Sequence, residues 1–224
     1  MKNSLRRVRS LFLIMLCMIL IVPGLGMQAG AVTQKKKALD AYKKWLSTSK
    51  VYVIKKGNVY DGGEYGGPGY QGTKASKVKF GLAYIDNDDI PELVVYTKQG
   101  GYKGLYGILT YKKGKVRRYY SSYGEEALLG YYKKTGIFSD RTYPRGDWIG
   151  YQVVYHKVTD GDDKMFLAKS NNPYFENPWT YYNYSKKLTQ KAFDAKVKKV
   201  TKGLKLTKVR LFTNTAANRK AKLK

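Results

Sequence analysis

Cysteine is almost missing from this chain. Cys17 is the only one in 224 residues, and it lies inside an apolar run near the N-terminus. One thiol excludes an intrachain disulfide framework, and beyond that run neither thiol catalysis nor a Cys-based zinc site can be built. Histidine is as scarce: His156 stands alone, so a multi-histidine metal centre is excluded too. It sits in a strand pattern beside Gln152 and Val154, which predicts a packed or surface residue rather than a catalyst. Acid is in short supply, with 16 Asp and Glu against 43 Lys and Arg and a formal net charge of +27. There is no Gly-x-Ser-x-Gly elbow, no His-Glu-x-x-His and no phosphate-cradling glycine loop ending in Gly-Lys-Ser/Thr.

What is present begins with an export pattern. Lys2, Arg6, Arg7 and Arg9 form a positive n-region, Leu11 to Val22 is apolar, Pro23 and Gly24 break the run, and Ala29-Gly30-Ala31 offers small residues for cleavage. The apolar stretch is short against the roughly 20 residues of a membrane span. Residues 1–31 are therefore expected to be a signal peptide, and 32–224 a single domain with room for a sizeable core. Removing the leader takes away four basic residues and no acid, which lowers the net charge from +27 to +23. No Leu-Pro-x-Thr-Gly-type sorting signal follows, so the expected location is secreted or cell-surface associated.

The charge is concentrated at the C-terminal end. Residues 186–224 hold fourteen Lys and Arg and one acid, Asp194. Two readings stand side by side. One is a solvated face that keeps the protein soluble. The other is retention on a polyanion outside the cell, either an anionic wall polymer of the teichoic-acid kind, an anionic membrane surface, or extracellular nucleic acid. On the second reading the anion-binding residues are Lys196, Lys198, Lys199, Lys202, Lys205, Lys208 and Arg210.

Local patterns predict an N-terminal helix from Thr33 to about Ser47 with Ala38, Ala41, Tyr42, Trp45 and Leu46 on one face, Trp45 being a core anchor. A short strand is expected over Val51 to Lys55. Gly57 to Gly72 holds seven glycines in sixteen residues, with Tyr60, Tyr65 and Tyr70 spaced five apart. Such a segment is a surface loop first, and otherwise an adaptable contact loop for a glycan or a base. Period-two alternation predicts a half-buried strand from Lys77 to Tyr84; β-rich composition predicts a second over Glu92 to Lys98, and Lys103–Tyr111 and Val116–Tyr120 read as a hairpin about a Lys112-Lys113-Gly114-Lys115 turn. Glu125 to Tyr132 reads as a short helix. A second hairpin is expected about Asp160-Gly161-Asp162, where Asp-Gly marks a turn before it marks a ligand site. Thr189 to Thr201 reads as a helix, Leu204 to Phe212 alternates like a strand, and Asn214 or Thr215 caps a last basic helix to Leu223. Helices at both ends with strands between predict an α+β fold: an antiparallel β-sheet core with an N-terminal helix and C-terminal helices.

The densest chemistry lies in Asp86-Asn87-Asp88-Asp89-Ile90-Pro91-Glu92, four carboxylates in seven residues of a cationic chain. Calcium takes six to eight oxygens, and closely spaced Asp with a following Glu supplies them, so Asp86, Asp88, Asp89 and Glu92 are the candidate metal ligands. The competing reading is a capped acidic turn paired with lysines, in which Asp86 and Asp88 accept backbone N–H bonds and Glu92 opens the next strand. Tyr84 to Leu93 resembles the Asp-Ile-Asp-Gly-Asp-Gly-Ile-Pro-Glu-Leu segment of uncharacterised exported proteins and lipoproteins of gut clostridia. Phe212 to Lys220 is similar to their Asn-Thr-x-x-Asn-Arg ending, and Tyr131 to Phe138 fits the same pattern. The resemblance implies a surface-exposed α+β domain with no assigned activity. This chain departs from it at Tyr84, where the family has Asp, and at Asp89, where it has the turn glycine.

Together these features favour a non-catalytic exported or cell-surface binding protein, retained by charge on anionic cell-wall polymer or membrane surface and contacting glycan through its Tyr/Gly loop. No catalytic residue is assigned. The alternatives are a secreted carbohydrate-active hydrolase using paired carboxylates, with Glu125 and Glu126 among the candidates, and a structural domain whose cofactor is calcium.

Overall fold

The computed structural model describes residues 33–51, 73–98, 104–121, 127–142, 151–159, 162–171 and 179–224. The Tyr/Gly loop, the leader and Glu125–Glu126 lie outside these residues.

Helix α1 (33–46) forms where its apolar residues recur at helical spacing, burying Ala38, Leu39, Tyr42 and Leu46 and half-burying Ala41 and Trp45. Leu39, absent from the expected stripe, is at its centre. Fully burying a side chain of Leu size contributes about 1.5–3 kcal/mol, so this face docks the helix. Among the described residues thirteen strands follow, interrupted by one 3-10 turn (Ala75–Lys77) and two helices. They are β1 (Lys50–Val51), β2 (Thr73–Lys74), β3 (Val78–Ala83), β4 (Glu92–Thr97), β5 (Leu105–Lys112) and β6 (Lys115–Ser121), then β7 (Ala127–Tyr132), β8 (Ile137–Thr142), β9 (Tyr151–Thr159), β10 (Asp162–Asn171), β11 (Trp179–Asn183) and β12 (Lys186–Leu188). Helix α2 (Gln190–Val200), β13 (Phe212–Thr213) and helix α3 (Ala216–Lys222) complete the order.

All described strand pairs are antiparallel. A five-stranded sheet runs β13-β3-β4-β5-β6, and a six-stranded sheet runs β12-β11-β10-β9-β8-β7. Three cores order the layers. Ala38, Leu39, Tyr42 and Leu46 of α1, with Leu223 at the end of α3, pack on Phe80, Leu93, Val95 and Leu109 of the five-stranded sheet. The opposite face of that sheet, through Ala83, Val94, Tyr106, Ile108 and Tyr120, meets Tyr131, Phe138 and Val158 of the six-stranded sheet. The outer face of the latter buries Tyr132, Ile137, Tyr155 and Leu167 against Phe193 of α2. The result is a helix–sheet–sheet–helix stack, and the expected α+β class with an antiparallel core holds. Among the described residues no helix is long and apolar enough to cross a membrane.

Local chemistry sets several boundaries. Lys113 and Gly114 have φ of 52° and 77°, the doubly left-handed pair of a two-residue hairpin turn whose twist suits the flanking strands. Thr189 caps α2 by accepting the Ala192 N–H at 3.2 Å, and Thr215 caps α3 by accepting the Asn218 N–H at 3.1 Å. Asn214 is instead buried, its Nδ2 donating to Leu46 O at 2.9 Å and Ala75 O at 3.2 Å. On α2 it is Phe193 that is buried, whereas Ala192 is exposed.

Two local expectations fail. The helix expected over Glu125 to Tyr132 is strand β7 from Ala127 onward. Leu128 packs on the core between the sheets and Leu129 on the core beneath α2, so a sheet buried on both faces overrides the helix propensity of Ala-Leu-Leu. The strand expected over Leu204 to Phe212 is an extended strap that pairs only at Thr207, with Tyr131 of β7, and at Phe212–Thr213, with β3. Its period-two pattern persists nonetheless: Lys208 and Arg210 are exposed while Val209 and Leu211 pack inward.

Candidate cation loop and basic surface

The loop between β3 and β4 is built by its own side chains. Asp86 Oδ1 accepts the Asp88 N–H at 3.1 Å and Asp88 Oδ1 accepts the Ile90 N–H at 2.9 Å, two successive Asx turns that fold the chain back. Glu92 opens β4 and is fully buried, with Oε2 accepting the Ile85 N–H at 2.8 Å. Asp86, Asp88 and Glu92 each bring one oxygen within 4.8 Å of the others. Asp89 does not join them. Its φ of 63° turns it outward, where it accepts a hydrogen bond from Lys134 Nζ in an exposed ion pair. Three of the four expected ligands therefore converge and the fourth leaves.

The electrostatics follow from this crowding. Loss of solvation, with Asp86 alongside, pushes the Asp88 carboxyl up to about 6. Burial, and then the charge of Asp86, holds Glu92 well above the usual carboxylate range. Asp89 moves the other way, lowered by its bond to Lys134. Burial and then Glu92 raise the Tyr42 phenol.

The loop is also a junction. Tyr42 of α1 donates to Pro91 O at 3.0 Å, and Tyr119 of β6 donates to Asp86 Oδ2 at 3.1 Å. From the β7–β8 turn of the other sheet, the Lys134 N–H donates to Tyr84 O at 2.9 Å and the Gly136 N–H to Ile85 O at 2.7 Å.

No family model matches this chain, and no curated protein or solved structure is significantly similar to it.

The basic residues are where the composition places them. Lys196, Lys198 and Lys199 lie on α2, Lys202 just beyond it, and Lys205, Lys208 and Arg210 on the strap, and all seven are exposed. Lys198 and Lys199 also complement the negative end of the α2 dipole. Arg210 lies over the Phe212 ring at 5.2 Å.

The remaining candidates separate from these sites. β9 and β10 form the expected hairpin, but Asp162, expected in its turn, is already a strand residue paired with Thr159, with Asp163 paired with Val158; Asp160 and Gly161 lie outside the described residues. His156 is buried between the sheets, stacked on Phe138 with centroids 4.6 Å apart. Its Nε2 lies 3.2 Å from Asp140 Oδ2, which also accepts the hydroxyls of Tyr106 and Tyr120, each at 2.8 Å. Sequence reasoning missed this cluster. The only trace of it is an acid sharing strand parity with Phe138.

Proposed function

We propose that this is an exported, non-catalytic binding protein, held on an anionic polymer or membrane surface outside the cell by the exposed cations of α2 and the strap. The observation that carries the proposal is that the seven cations between Lys196 and Arg210 are each exposed and that none of them forms an ion pair among the described residues. A solvated cation without an acid partner keeps its charge available to an external anion, and each phosphate it neutralises releases a counterion. The export pattern of residues 1–31 supports a wall or membrane polyanion as the partner.

The test is sedimentation of the purified protein with cell walls, intact or stripped of anionic polymer, and with anionic vesicles, across a salt series. Bound protein is expected to fall steeply with salt. The triple variant Lys202→Ala, Lys205→Ala, Lys208→Ala is expected to bind about a hundredfold more weakly, at about 1 kcal/mol per cation near an anionic surface. Salt-independent binding, or a triple variant that binds like the parent, would remove the basis of this proposal.

A further inference from the structure

The acidic triad holds an arrangement that the basic surface does not explain. In a chain of net charge +27, Asp86, Asp88 and Glu92 gather their carboxylates within 4.8 Å. The ion pair formed in this loop, Lys134 with Asp89, goes to the one acid outside the triad. A second observation points to a ligand. Glu92 has no exposed surface, and although its Oε2 accepts the Ile85 N–H, its Oε1 is buried with no hydrogen-bond partner. A buried carboxylate oxygen without a partner costs several kcal/mol unless a proton or a cation satisfies it.

We infer that Asp86, Asp88 and Glu92 bind a divalent cation of the calcium class, which clamps α1 and the two sheets together at the β3–β4 loop. The donor set is all oxygen, and the only histidine is committed to the Asp140 cluster. Hard carboxylate ligands select calcium or magnesium over zinc. Calcium accepts the irregular geometry of a loop with water completing its shell, whereas magnesium demands a near-ideal octahedron. The clamp follows from what the loop already touches. Tyr42 reaches Pro91 from α1, Tyr119 reaches Asp86 from the five-stranded sheet, and the Lys134 and Gly136 amides reach Tyr84 and Ile85 from the six-stranded sheet. Fixing the loop therefore fixes three layers at one point. This inference is independent of the anion-binding face, and either can fail without the other.

The experiment is thermal unfolding of the purified protein, first with chelator and then with calcium chloride or magnesium chloride, alongside calorimetric titration. At calcium about 100 times its dissociation constant, Tm is expected to rise by about 5–10 °C, with one site per chain and a smaller effect of magnesium. Glu92→Gln keeps the side-chain shape and an oxygen for the Ile85 N–H while removing the charge. It is expected to retain the chelated protein's Tm or exceed it, and to lose the calcium shift. Asp88→Asn, an exposed change that should leave folding intact, is expected to lose most of the shift, and Asp89→Asn to keep it. An unchanged Tm and no heat of binding in the parent protein at millimolar calcium would overturn the inference. So would an equal shift in Glu92→Gln and Asp88→Asn, which would place the cation elsewhere.

Discussion

Replacing Asp140 with alanine is expected to destabilise the protein by about 3–5 kcal/mol, lowering Tm by roughly 10–15 °C. Asp140 has no exposed surface, and its Oδ2 accepts Tyr106 and Tyr120 hydroxyls at 2.8 Å each with His156 Nε2 at 3.2 Å. These groups come from both sheets: Tyr106 and Tyr120 from β5 and β6, Asp140 and His156 from β8 and β9. The carboxylate is thus the common acceptor of the inter-sheet core. Truncation removes two hydrogen bonds to a carboxylate from the core that also holds Phe138, Ile108 and Val94. Each hydroxyl left unsatisfied costs about 1–3 kcal/mol. Asp140→Asn retains the shape and a carbonyl oxygen, so a smaller loss of about 1–2 kcal/mol is expected. Tyr106→Phe combined with Asp140→Ala should be less destabilising than the sum of the two, because once the acceptor is gone an apolar ring is the better neighbour. Denaturant unfolding of the three variants checks this. An Asp140→Ala variant within about 0.5 kcal/mol of the parent would show that the cluster does not hold the sheets together.

The contrast between this cluster and the acidic loop shows what one sequence makes legible. The loop's Asx turns, its opening of β4 and its converging carboxylates all rest on residues within seven positions, and such chemistry is written locally. The Lys113-Gly114 turn and the Thr189 and Thr215 caps are legible for the same reason. Asp140 is not, because its meaning depends on β8 pairing with β9 in a register that sets Phe138 beside His156, and on a second sheet arriving over that face. Asp89 differs from Asp86 and Asp88 by a backbone dihedral and a partner 45 positions away in sequence. In β3, Gly81 and Ala83 read as the neutral phase of a half-buried strand, yet both are buried, since the sheet is covered on both sides. Small residues marked the closest approach rather than the solvent face.

That approach yields the second large effect. Alanine at Gly130 is expected to destabilise by about 2–4 kcal/mol, and alanine at Gly81 by about 1–3 kcal/mol. A Cβ at Gly81 would stand 2.4 Å from Arg210 O, and one at Gly130 would stand 2.4 Å from Thr207 O. In both cases the obstacle is main chain, which cannot rotate aside as a side chain would. Gly130 adds a φ of 153° that L-residues rarely adopt. The strap crosses these notches to close two sheet edges, bonding β7 through Thr207 and Tyr131, whose amides donate to each other's carbonyls at 2.8 and 2.9 Å, and pairing with β3 through Phe212. Both substitutions lift the same segment, so the double variant should lose less than the sum of the singles. Gly114→Ala is the control, with a φ of 77° but nothing within 4 Å of the new Cβ. It isolates the backbone penalty of about 1–2 kcal/mol from the clash. Hydrogen exchange at the Thr207 and Tyr131 amides separates local lifting from global loss: faster exchange there in Gly130→Ala than in Gly114→Ala, at matched global stability, is the expected result. Equal exchange would mean the strap is not seated by its glycines. Lys205, Lys208 and Arg210 ride on this strap. On the proposal that they hold the protein to a polyanion, a lifted strap loses the fixed spacing of its cations, and wall binding by Gly130→Ala is expected to fall with no charge removed.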